Sequence, residues 1–145
     1  MSEDVPNIAV LMFVAHRAVE QEVMTALEAA GFDATLAQSR LAARIGQSGT
    51  RITELAESAQ VTKQTASVLV DQLEALGYVE RVLDPSDARA RLVRLAERGR
   101  GAQAVARRVE ARVFARWGEH LGQRGIAQLE RQLVRLREIT DPYVT

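Results

Sequence analysis

Apolar residues near the start of the chain recur at helical spacing. Ile8, Leu11, Met12, Ala15, Val19 and Val23 fall at i, i+3, i+4, i+7, i+11 and i+15, which predicts a helix over residues 8–30 with Gly31 as its stop. Val10, Phe13 and Val14 widen the apolar surface beyond one stripe, so this helix is expected to bury two faces. A second helix is predicted over residues 35–45, with Leu36 and Ala37 in its first turn and Leu41 on its apolar side, followed by a polar break at Gly46, Ser48 and Gly49. Thr50, ahead of a short apolar-patterned segment, reads as the N-cap of a third helix that ends near Ala59 and Gln60. Thr62 opens a fourth helix at once. Its Ala66, Leu69, Val70, Leu73 and Leu76 share one face, and Gly77 suits its C-terminus.

The period then changes. Tyr78 to Leu83 and Ala90 to Leu95 read as two strands, and the Asp84-Pro85-Ser86-Asp87 turn between them predicts a hairpin with an extended tip. From Glu97 a helical stripe of Ala102, Val105, Ala106, Val109, Val113 and Trp117 resumes. Gly118 and Gly122 are expected to interrupt it before a last stripe of Ile126, Leu129, Leu133 and Leu136, ended by Asp141 and Pro142. This order predicts a mainly α fold of six helices with a small β-hairpin wing, a winged helix-turn-helix.

Such a fold holds one helix at a steep angle and offers its polar face to the DNA major groove. With Ala66, Leu69, Val70 and Leu73 inside, the outward set contains Lys63, Gln64, Thr65, Ser67, Val68, Asp71 and Gln72. Thr62, Lys63, Gln64, Thr65 and Ser67 meet the helix N-terminus, where free N–H groups favour phosphate. Gln64 suits adenine, and Val68 suits a thymine methyl. On the wing, Arg89 is placed to enter the minor groove with Arg91 behind it, and Asp87 is expected to orient the Arg89 side chain by a charge-assisted bond.

Composition sharpens this picture. The 145 residues are 47% hydrophobic and 26% charged, with zero formal net charge, so no basic excess advertises a nucleic-acid partner. Charge is uneven, however: residues 81–100 hold six arginines against three acids, and the only lysine, Lys63, stands in the first turn of the candidate reading helix. There is no cysteine, which removes disulfides, thiolate metal sites and thiol redox sensing, and no metal or cofactor is expected. No apolar run reaches the roughly 18 residues of a membrane span, and Glu3 and Asp4 stand where a signal peptide would be basic, so a cytoplasmic location away from membranes is expected.

Residues 52–99, ITELAESAQVTKQTASVLVDQLEALGYVERVLDPSDARARLVRLAERG, resemble the MarR family of bacterial transcriptional regulators. ELA, TKQT, LVDQLEALGYVER, DPSDARA and LVRLAERG are its landmarks. The resemblance implies a triangular homodimer with interlocked first and last helices. It implies a repressor on a pseudo-palindromic operator in double-stranded DNA, released by a small, often phenolic or anionic, effector. The chain would form one domain over residues 1–145. Residues 1–34 and 118–145 would be dimerisation helices, 35–100 the DNA-binding lobe and 97–117 a connecting helix. Departures from the family pattern are specific: Gln60 replaces a turn glycine and Val68 a frequent polar base contact. Ala88 replaces a wing arginine, and Ala96 a threonine cap worth on the order of 1 kcal/mol.

For an effector, His16 and Arg17 on the first helix are the candidates to meet an anion, although a lone His is also a common surface or core residue. An enzyme would need a nucleophile with its base, paired carboxylates or a phosphate loop; two distant histidines supply none of these. The remaining alternative is a winged-helix module that has lost DNA binding and works through protein contacts.

Overall fold

Helix caps set the frame. Asn7 accepts from the Val10 N–H and opens α1 (Ile8–Ala29), and Thr35 with Gln38 forms a reciprocal capping box on α2 (Leu36–Ala42). The structure is a computed structural model that describes residues 4–141 and Tyr143; Glu3 and Pro142, named above, lie outside the described residues. The order continues with α3 (Ile52–Ser58), α4 (Lys63–Ala75), β1 (Val79–Asp84), β2 (Asp87–Leu95) and α5 (Glu97–Thr140). Five helices therefore stand where six were expected. Gly118 is buried and stays helical, and only Gly122, at φ 79 and ψ 158, leaves helical dihedrals, so the last two stripes run as one element across a kink. That conformation costs a residue without Cβ little.

The core sits under the reading lobe. Leu41, Leu55, Val70 and Leu73 are almost fully buried, and Ala66, Tyr78, Val79 and Val93 join them. Leu69 and Leu76 pack against this cluster half-buried, so the apolar face of α4 is the one its spacing indicates. The α3–α4 turn passes through Gln60 at φ 58, the only described non-glycine residue in the left-handed region.

Thr50 is not the cap of α3. Arg51 occupies that position without a side-chain cap bond, while Thr50 exchanges two backbone hydrogen bonds with Val93, at 2.8 and 2.9 Å, as an antiparallel bridge on the outer side of β2. Its hydroxyl accepts from the Gly46 N–H instead. The pairing partner lies far along the chain, which no local capping signal reveals.

The hairpin also differs at its tip. Asp84 pairs with Asp87 across a two-residue turn, and the register shift between Leu83 and Asp84 leaves Ala88, Arg89 and Ala90 as a bulge on β2. The expected extension is thus a bulge beside a tight turn. At the hairpin base, the Ala96 N–H donates to the Tyr78 carbonyl, and Ala96 caps α5 without a side-chain bond. A Cβ on Gly99 would stand 2.1 Å from that same carbonyl, so close approach of α5 to the wing base requires glycine there.

Candidate nucleic-acid interface

Thr62 positions the first turn of α4: its hydroxyl oxygen accepts from the Thr65 N–H at 3.0 Å. Thr62, Lys63, Gln64, Thr65 and Val68 are exposed around that turn, and Ser67 is half-buried beside them. Val68 is 49% exposed on the same face, open to an apolar contact. Among the described residues Lys63 enters no ion pair.

A buried carboxylate builds the wing tip. Asp84 Oδ1 accepts from the Ser86 hydroxyl at 2.7 Å and the Ser86 N–H at 2.8 Å, closing an Asx turn. Asp84 Oδ2 accepts from Arg51 Nε at 2.9 Å and Nη2 at 2.8 Å. The Ser86 hydroxyl, then its N–H and Arg51, hold the Asp84 carboxyl down at about 2. The start of α3 is thereby tied to the wing. Arg51 is the residue that local sequence signals missed, because its partner lies 33 positions away.

Asp87 acts on Arg89 differently from the expectation. Its Oδ1 accepts from the Arg89 backbone N–H at 3.0 Å, and its Oδ2 faces Arg51 at 3.9 Å. The bulge backbone is what Asp87 fixes, not the guanidinium. Arg89 and Arg91 are exposed and, among the described residues, form no ion pair. Most other arginines of the lobe are committed: Arg81 to Asp71 and Glu74, Arg94 to Glu80, Arg98 to Asp33. The opening of α4 and the tip of the wing thus each carry exposed cations that enter no ion pair among the described residues.

A cleft of about 1140 Å³ lies behind the reading lobe, between α1, α2 and α5. Its wall is mostly apolar, with His16, Glu20, Gln38 and Arg40 among the polar groups. Arg17 does not line it. The Glu20 carboxylate gathers Arg40 at 2.7 Å, Arg17 at 3.0 Å and His16 at 3.3 Å. Its pKa is lowered to about 2, chiefly by the Arg40 bond and, against some burial, by Arg17 and His16. Gln38 is buried and donates from Nε2 to Gln72 Oε1 on α4 at 3.0 Å, so one cleft residue touches the reading helix directly. Trp117 and Phe114 pack together in the same wall, ring centroids 5.4 Å apart, and His120 is exposed near the kink.

Among the described residues no group of three or more His, Cys, Asp or Glu is placed to hold a metal, and no helix is long and apolar enough to cross a membrane. A short helix, a tight turn, a capped second helix with a polar outer face and an antiparallel hairpin together define the winged helix-turn-helix class. The MarR family profile matches residues 32–90. A Mycobacterium tuberculosis MarR family protein solved with salicylic acid is 31% identical over 92% of this chain and 98% of its own, with a TM-score of 0.62. The chain belongs to the MarR family of winged-helix transcriptional regulators. Escherichia coli MarR in its apo form shares the fold at TM-score 0.68 and 21% identity, over 92% of this chain and 98% of that one. So does the repressor CouR bound to a 23-mer DNA duplex, at 0.67 and 23%, over 90% and 92%. No curated protein sequence matches the chain.

Proposed function

We propose that the protein is a homodimeric, ligand-responsive repressor that binds a pseudo-palindromic operator in the cytoplasm. The observation that carries this reading is that the cations at the opening of α4 and on the wing, Lys63, Arg89 and Arg91, are exposed and enter no ion pair among the described residues. Lys63, Gln64, Thr65 and Ser67, with Thr62 as cap, address the major groove, and Val68 meets a thymine methyl. Arg89 enters the minor groove with Arg91 on the flanking phosphates, while Asp87 holds the bulge that carries them.

Residues 1–34 and 118–145 form the dimerisation region in this reading, 35–100 the DNA-binding lobe and 97–117 the connection. Support comes from a broad exposed apolar face: Ile8 is 74% exposed, Phe13 61%, Val134 59% and Ile139 84%. Two reading heads about one helical turn apart, ~34 Å, fit two half-sites. The cleft takes the effector. Salicylic acid in the Mycobacterium tuberculosis relative supports an aromatic, anionic compound, with His16 in the wall and Arg17 acting through Glu20.

The test is selection of a binding duplex from a randomised pool, followed by footprinting. A symmetric footprint with two half-sites is expected. Failure to retain any duplex at low salt would overturn the regulator reading in favour of a module that contacts protein.

A further inference from the structure

The reading helix carries negative charge on the same side as its candidate base contacts. Asp71 lies three residues after Val68 and seven after Gln64, hence on their face, and Glu74 follows one turn later. Their side chains are 68% and 43% exposed. Two carboxylates there would repel the DNA backbone as the second half of α4 approached it. Arg81 reaches back from β1 to both: Nη2 meets Asp71 Oδ1 at 2.7 Å and Nη1 meets Glu74 Oε1 at 2.6 Å. One guanidinium thus spans ten residues of chain to close on two acids, and its own side chain is only 29% exposed.

Fold stability gives little reason for this arrangement, because ion pairs with exposed carboxylates contribute little. The neighbouring cations show a division of labour: Lys63, Arg89 and Arg91 stay free of ion pairs among the described residues, whereas Arg81 is spent on acids. We propose that Arg81 is a positioning residue of the DNA interface that holds and screens Asp71 and Glu74, so that the second half of α4 can lie against the phosphate backbone. This rests on the DNA-binding reading above. The two carboxylates then act as a built-in brake on affinity, and Arg81 sets how far it is applied.

The experiment compares wild type with Arg81→Ala, with Asp71→Asn/Glu74→Gln, and with all three changes together. The probe is a fluorescein-labelled duplex selected by the wild-type protein, titrated at several salt concentrations. Thermal melts accompany each variant. Arg81→Ala is expected to bind about tenfold more weakly. The Asp71→Asn/Glu74→Gln protein is expected to bind roughly three- to tenfold more tightly, with a steeper salt dependence. The triple variant should return to within about threefold of wild type. A role confined to folding would shift the melts and leave these affinities unchanged, which would overturn the proposal. A triple variant as weak as Arg81→Ala would also overturn it, by placing Arg81 on the DNA itself. Should Arg81→Ala fail to fold, the carboxylate variant decides alone: tighter binding supports the proposal, and unchanged or weaker binding overturns it. A wild-type protein that binds no duplex would overturn the DNA reading and this one together, whereas a binding wild type with unresponsive variants would overturn only this one.

Discussion

At the scale of single residues, the wing arginine and the cleft carboxylate make separable claims. Arg89 has its backbone held by Asp87 and its guanidinium unpaired among the described residues. Arg89→Ala should therefore weaken binding to all duplexes and lower the magnitude of the salt slope by about 1, as measured by anisotropy titrations. Gln64→Ala should relax preference at one base position and leave that slope alone; an unchanged selected sequence would remove Gln64 from the readout. Glu20 titrates on a different surface. Its folded pKa of about 2 lies below the ordinary 4.5, so its stabilising contribution is fully present above about 4.5 and is lost as pH falls towards 2. Melting temperatures between pH 6 and pH 3 (about the practical acid limit for such melts) should accordingly drop further for wild type than for Glu20→Gln.

At the scale of elements, two junctions decide whether the reading helix and wing hold their places. Gly99 lets the first turn of α5 lie against the Tyr78 carbonyl, and the neighbouring Arg98 guanidinium stacks over the Tyr78 ring at 4.3 Å while bonding Asp33 and the Leu76 carbonyl. Gly99→Ala would put a methyl into backbone, and the expected loss is on the order of 3 kcal/mol, seen as a lower urea midpoint at constant slope. The second junction joins Arg51 to Asp84. Asp84→Ala should leave the helical core folded, because neither Arg51 nor Asp84 belongs to the apolar cluster around Leu41 and Leu55. It should still reduce DNA affinity, because the Asx turn and the tie to α3 both disappear and Arg89 loses its fixed base. A variant with full affinity would show that the tip needs no such support.

At the scale of the molecule, the apolar face along α1 and the second half of α5 sets the expected assembly. Phe13, Val14, Val134 and Ile139 are each more than half exposed in the single chain. Phe13→Glu together with Val134→Glu should convert a dimer into a monomer in light scattering and abolish the preference for two half-sites over one. A pair of changes that leaves the mass of a dimer intact would move the interface elsewhere.

Local features proved legible where one element explains itself. The inward stripe of α4, the Thr62 cap and the Asp84-Pro85-Ser86 turn follow from spacing and short-range hydrogen bonding, and the uncapped start of α5 at Ala96 from comparison with the family's threonine there. Gln60 in the left-handed region follows from its place in a turn that the family fills with glycine. Thr50 misled, because a hydroxyl before a helix looks like a cap until the distant Val93 claims its backbone. Gly118 misled for a related reason: glycine signals a break in sequence, but here it is buried against the segment beyond the kink, near Gln123 and Ile126. Asp87 was expected to orient the Arg89 guanidinium, and it holds the Arg89 backbone N–H instead, a bond that depends on the bulge rather than on charge.

The sequence by itself determined the order of elements, the family and the identity of the side chains on the outer face of α4, since each depends on periodicity and local chemistry. Only the tertiary structure decided that Arg51 locks the wing through Asp84, that Glu20 gathers three cationic or titratable groups at the cleft, and that Arg81 is committed to the acids of the reading helix. Those are pairings between residues on different elements. Charge alone cannot choose among eighteen arginines and nineteen acids; the packing of helix on helix and strand on helix brings particular ones within reach.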